Sequence, residues 1–202
     1  MFSKLMVIAF ALGSPLAWAE TESSACTYTL SEAKPGWTAY KTTGKMGVSG
    51  SFKEYTLTPG TGGDSVAAAL KGASMSIVPS SVDSGVDIRN QTIATKYFAV
   101  FAPDTPFAVQ VKSVEGDDKS GTANLEVNIN GTQKTLAFPY AVNAAGELTA
   151  KASMEMMDFG LKAAFDSIHT ACEALHMGAD GVSKTWTDVE LSVTATFTKT
   201  CE

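Results

Sequence analysis

Apolar and polar residues alternate with a period of two through most of the chain. Met46, Val48, Gly50 and Phe52 fall on one side of an extended segment, as do Met75 and Ile77. The same step relates Phe107, Val109 and Val111, then Leu125, Val127 and Ile129, then Leu136 and Phe138. Two longer series follow: Leu148, Ala150, Ala152, Met154 and Met156, and finally Val189, Leu191, Val193, Ala195 and Phe197. Thr, Ser, Asn, Lys and Glu fill most intervening positions. Each strand therefore has one dry and one wet face, as an antiparallel sheet curled on itself requires.

Turn chemistry separates these series. Asn130-Gly131 is the strongest hairpin signal, because both residues tolerate the positive φ of a two-residue type I′ turn. That turn sets Leu125 opposite Leu136 and Val127 opposite Lys134, so the apolar sets of both arms share a face. Pro59-Gly60 with Gly62-Gly63, residues 117–121 and Ala145-Gly146 are further turn candidates. Strands of this length between such turns predict a barrel or sandwich, not βαβ units. One segment departs from the pattern. Leu161, Phe165, Ile168, Cys172 and Leu175 recur at steps of four and three, which predicts an amphipathic helix over 158–177. Asp158 is its N-cap, Gly178 its stop, and the helix covers one barrel end.

The two ends of the chain change the picture. Lys4, the apolar run 5–12, Pro15 and Ala17-Trp18-Ala19 read as a cleaved signal peptide over residues 1–19. The run is far shorter than the roughly 20 residues that span a bilayer, so stable membrane insertion is not expected. Residues 20–202 then form one domain, periplasmic or secreted after cleavage near Ala19. Without Lys4, 14 basic side chains face 21 acidic ones, a net charge of −7. That balance argues against nucleic acid or an anionic membrane surface as a lasting partner. Of the three cysteines, Cys26 and Cys201 lie near the chain ends and would meet if the first and last strands pair antiparallel. They are the favoured disulfide, although spacing alone leaves other pairings open. Cys172 falls on the helix's apolar stripe, where a small thiol packs well.

Catalytic constellations are poorly supported. His169, Cys172 and His176 have helical spacing for metal ligands, but no second cluster completes a site, and packing at the edge of the core is the plainer role. Ser49 in Gly47–Ser51 lacks the final glycine of a nucleophile elbow and sits in a strand-like segment. No catalytic residue, metal or cofactor is expected. Asn90-Gln91-Thr92 and Asn130-Gly131-Thr132 match the glycosylation sequon, which matters only in a eukaryotic secretory pathway. The methionines and phenylalanines on the inward faces suit either a filled core or a pocket for an irregular alkyl chain. The residues alone favour the filled core.

Four segments tilt that choice: YKTTGKMGVSGSF (40–52), VDIRNQTIATKYF (86–98), MDFGLKAAF (157–165) and WTDVELSVTATF (186–197). Each reads as strand-like alternation joined to turn or cap residues. In this order and spacing, from about Cys26 to Lys199, they resemble the YceI-like family of secreted lipid-binding barrels. Two positions depart from that pattern. Lys41 and Lys45 are the bulky polar residues where many members carry a histidine, and Arg89-Asn90 stands for Arg-Asp. The resemblance implies an all-β, lipocalin-like, extended antiparallel barrel of about eight strands with one helix near the C-terminal strands. It implies a non-catalytic protein holding a long-chain isoprenoid or other amphiphilic lipid. The lining would be Met46, Val48, Phe52, Met75, Ile77, Phe98, Phe107, Val109, Leu125, Val127, Phe138, Met154, Met156, Phe159, Phe165, Leu191 and Val193. A solidly packed envelope stress or interaction protein acting through its surface is the alternative. A homodimer is left open.

Overall fold

The computed structural model describes residues 25–102 and 105–202, so the signal-peptide reading lies outside the described residues. Ten strands form one antiparallel sheet: β1 (Cys26–Lys41), β2 (Met46–Phe52), β3 (Tyr55–Thr58), β4 (Ser74–Ile77), β5 (Val82–Asp83), β6 (Phe107–Gly116), β7 (Ser120–Ile129), β8 (Thr132–Val142), β9 (Leu148–Glu155) and β10 (Thr185–Cys201). Their order is β3-β4-β6-β7-β8-β9-β10-β1-β2-β5. The sheet is curled, and one chain segment reaches both its ends. β2 stands near one end and β3 at the other, yet only Lys53 and Glu54 separate them. That short link is held by Lys53 N–H to Ser81 O at 2.9 Å and Val78 N–H to Glu54 O at 3.0 Å. The fold is thus the antiparallel, lipocalin-like one expected. The count rises from about eight to ten because β3, β4 and β5 are short pieces beside the link.

The Asn130-Gly131 hairpin has the predicted register, with Leu125 opposite Leu136 and Val127 opposite Lys134. Asn130 and Gly131 take φ of 51° and 83°, as a type I′ turn demands. On β7 the alternation is complete: Ala123, Leu125, Val127 and Ile129 are all buried. Two strands break phase at bulges, where one extra residue turns the next side chains to the other face. In β1 the first irregularity lies between Leu30 and Glu32, so Leu30 and Ala33 are both buried, and a second register shift against β10 lies between Ala39 and Lys41; in β6 the shift lies between Val111 and Ser113.

The helices correct the expectation. Residues 158–177 are not one helix. A 3-10 turn (Met156–Phe159) ends at Gly160 in the left-handed region (φ 69°), then come α3 (Lys162–Ala171) and a second 3-10 turn (Glu173–His176). The N-cap of α3 is Leu161, not Asp158. Two further helices precede it: α1 (Val66–Leu70), capped by Ser65, and α2 (Asp87–Lys96). Segment 86–98, read as strand-like, is mostly α2. Ile88, Thr92, Ile93 and Thr95 gave it β-like composition. In the helix, the Thr92 and Thr95 hydroxyls donate to the carbonyls four residues back, Ile88 O at 2.8 Å and Gln91 O at 2.7 Å. Phe98 likewise lies in a 3-10 turn (Phe98–Val100), not a strand. Cys26 and Cys201 are directly paired in the β1–β10 ladder and form a disulfide.

Candidate functional site

Inside the curl lies a cavity of about 480 Å³. Apolar side chains from β1, β2, β4, β6, β7, β8, β9 and β10 make its wall, and α2 and the α3 region bound one side. Phe52, Met75, Val109, Leu191 and Val193 are inward-facing yet only half-buried. In a filled barrel such positions would be covered; here they border the cavity.

Most of the expected lining takes part. Val48, Phe52, Met75, Ile77, Phe98, Phe107, Val109, Leu125, Val127, Phe138, Met154, Met156, Leu191 and Val193 all line the cavity. Three expected residues do not. Met46 begins β2 at the rim and is 58% exposed. Phe159 sits in a 3-10 turn, fully buried in the core and outside the lining. Phe165 stacks on His169 with ring planes 3° apart and centroids at 5.9 Å, outside the lining.

Sequence reasoning missed the α2 side. Ile88, Arg89, Thr92 and Ile93 recur on one helical face and all line the cavity. Steps of three and four among them were the available signal. Beyond α2, Tyr97, Phe98 and Phe101 join Phe52 and Phe107 in an aromatic cluster with centroids 5.1–6.2 Å apart. Burial pushes the Tyr97 phenol well above its usual range, so it stays neutral. Trp37 was missed too. Its ring lies across Gly50, its partner on β2, and leaves no room there for a Cβ. The small residues of Gly47–Ser51 thus make way for a ring; Ser49 is exposed and bonds the Thr38 hydroxyl at 2.8 Å.

Polar groups gather where β1, α3 and β10 meet. Thr185 Oγ1 lies 2.9 Å from His169 Nδ1 and 2.7 Å from His176 Nδ1. The one hydroxyl proton can go to only one imidazole, so at least one of the two rings donates its Nδ1–H to the Thr185 oxygen. Burial, with Lys41 and His169 nearby, holds the His176 pKa below its ordinary value. Burial raises the Cys172 thiol, with Lys41 pulling the other way. Lys41 Nζ donates to Leu175 O at 3.3 Å. These groups hold one another in place; the Thr185 hydroxyl, shared between two imidazoles, is itself buried (9% exposed). Leu175 (70% exposed), Ile88 (71%) and Val86 (40%) line the cavity and also meet solvent, which marks the mouth between α2 and the turn after α3.

The sequence model of the YceI-like domain family matches residues 26–199. Among solved structures, the chain is similar to a polyisoprenoid-binding domain from Saccharophagus degradans implicated in plant cell wall breakdown. The TM-score is 0.56 at 14% identity, over 86% of this chain and 98% of the other. Burkholderia cenocepacia BcnA follows with a TM-score of 0.52 at 14% identity, over 81% and 94%. A cysteine variant of the Campylobacter jejuni YceI protein, carrying a monobromobimane guest, has a TM-score of 0.51 at 17% identity, over 77% and 85%. No curated protein sequence matches the chain.

Proposed function

The chain belongs to the YceI-like domain family, and from that premise we propose that it is a non-catalytic lipid carrier. It holds a long-chain apolar lipid, polyisoprenoid-like, in the interior of the curled sheet and shields it from water. The observation that carries this reading is the apolar cavity of about 480 Å³ with a mouth between α2 and α3. Each methylene moved from water into such a wall contributes about 0.8 kcal/mol, enough for firm retention without a specific polar contact. The S. degradans neighbour is named as a polyisoprenoid-binding domain, which favours the same ligand class. Export to the periplasm or medium fits the N-terminal segment, and sequestration or transport across an aqueous space would follow from it.

Organic extraction of protein purified without detergent, followed by mass spectrometry, should yield a long-chain lipid in near-stoichiometric amount. Val127 is buried on β7 and lines the cavity. Val127→Trp places an indole in the lipid's volume and should abolish co-purification while leaving the circular dichroism of the sheet unchanged. A lipid-free extract from the wild-type chain, with no apolar dye taken up, would leave a protein that acts through its surface.

A further inference from the structure

The charge on the cavity wall is one-sided. The full chain carries 21 acidic and 15 basic side chains, yet among the described residues no Asp or Glu lines the cavity, whereas Lys41 and Arg89 do. Neither cation has a carboxylate partner among the described residues; of the other described cations six lysines are ion-paired, and the six that are not (Lys71, Lys96, Lys119, Lys134, Lys184 and Lys199) are exposed to water. Lys41 makes one long bond to Leu175 O and has donors to spare; Arg89 makes no hydrogen bond among the described residues. Both are half-buried, and both stand at the mouth: Lys41 beside exposed Leu175, Arg89 next to exposed Ile88.

A half-buried cation without a partner is costly unless something meets it. The apolar interior takes a tail, and the mouth offers donors and positive charge but no acceptor carboxylate. We propose that the ligand is an anionic single-chain amphiphile whose carboxylate or phosphate head sits at the mouth against Lys41 and Arg89. The proposal rests on the carrier reading and narrows it, since a neutral head would leave both cations unmet. The His176 and Thr185 side chains also line this part of the cavity and add neutral hydrogen-bonding atoms near the head.

The chain carries its own reporters. Trp37 and Trp186 both line the cavity, so tryptophan fluorescence reads occupancy directly. Delipidated protein is titrated with oleate and oleyl alcohol, which share one chain, and with farnesyl phosphate and farnesol. At pH 8 the acid of at least one pair should bind about tenfold more tightly than its alcohol, the size of one charge-assisted contact. Lys41→Met with Arg89→Met should erase that preference, bringing the acid-to-alcohol affinity ratio to about one, while Lys41→Arg keeps it. The oleate and farnesyl phosphate arms distinguish a fatty acid from a prenyl phosphate. Equal binding of acid and alcohol in both pairs overturns the proposal, as does a preference that survives in the double variant. Binding of none of the four removes the carrier reading itself.

Discussion

Asn90 holds the approach to α2 through bonds that a carboxylate cannot all make. Its Oδ1 accepts from Ser84 N–H and Ser84 Oγ at 2.7 Å each, and its Nδ2 donates to Asp83 Oδ1 at 3.0 Å. The Gly85 N–H first, and then Asn90, hold the Asp83 carboxyl below its ordinary pKa. Asn90→Asp would set two carboxylates against each other and lose the donated bond. The thermal midpoint should drop by several degrees at pH 7 and return towards the wild-type value near pH 4, where the pair shares a proton. A midpoint unchanged at pH 7 would mean that the amide contributes nothing. His176 gives a second pH signature. Around it stand His169 from α3, Thr185 from β10 and Lys41 from β1. Its folded pKa lies below the unfolded value of 6.5, so the unfolded chain takes up the proton first. Its share of stability is full above pH 6.5 and is lost as pH falls towards the lowered folded value. Urea midpoints should therefore fall between pH 7.5 and 5, and the slope should flatten in His176→Gln.

At the scale of elements, the strands were legible wherever one face is dry and no residue is inserted. β7, β8, β9 and β10 follow their period-two pattern, and the Asn130-Gly131 turn fixed one register outright. β1 was less readable, because the bulge after Leu30 shifts its phase and Pro35 and Gly36 interrupt it. α2 was misread for a physical reason. Its face turns to a cavity, so it has no fully buried residue and little amphipathic contrast, and its β-branched residues mimic a strand. The cavity's apolar wall followed from the strand pattern; its polar mouth did not, since Lys41, Arg89 and His176 come together only through tertiary packing. The predicted long helix failed at Gly160, whose φ of 69° belongs to the left-handed region. Gly160→Ala meets no neighbour within 4 Å, so its cost is conformational alone, about 1 kcal/mol. Denaturant unfolding should show that loss without a change in cavity occupancy. An unchanged stability would mean that the turn relaxes out of the left-handed conformation.

For the whole molecule, the decisive pairing is that of the first strand with the last. β1 and β10 run side by side from Cys26↔Cys201 to Lys41↔Thr185, with register shifts only at the bulges. The same ladder therefore carries the disulfide at one end and the polar mouth at the other. The bridge closes a loop across 175 positions, and in the chain-entropy account such a loop is worth about 5 kcal/mol through the unfolded state. It adds little to the folded geometry, because the backbone ladder already sets the two residues opposite each other. Cys26→Ser with Cys201→Ser should therefore unfold at markedly lower urea, while binding the same lipid with the same affinity under native conditions. Reductant should shift the wild-type chain to the same midpoint and leave the double variant unmoved. A loss of binding in parallel with stability would show that the bridge holds the cavity open rather than restraining the unfolded chain. Cys172 serves as the internal control: its thiol is free and buried at the C-terminal end of α3, and Cys172→Ala should leave the response to reductant intact.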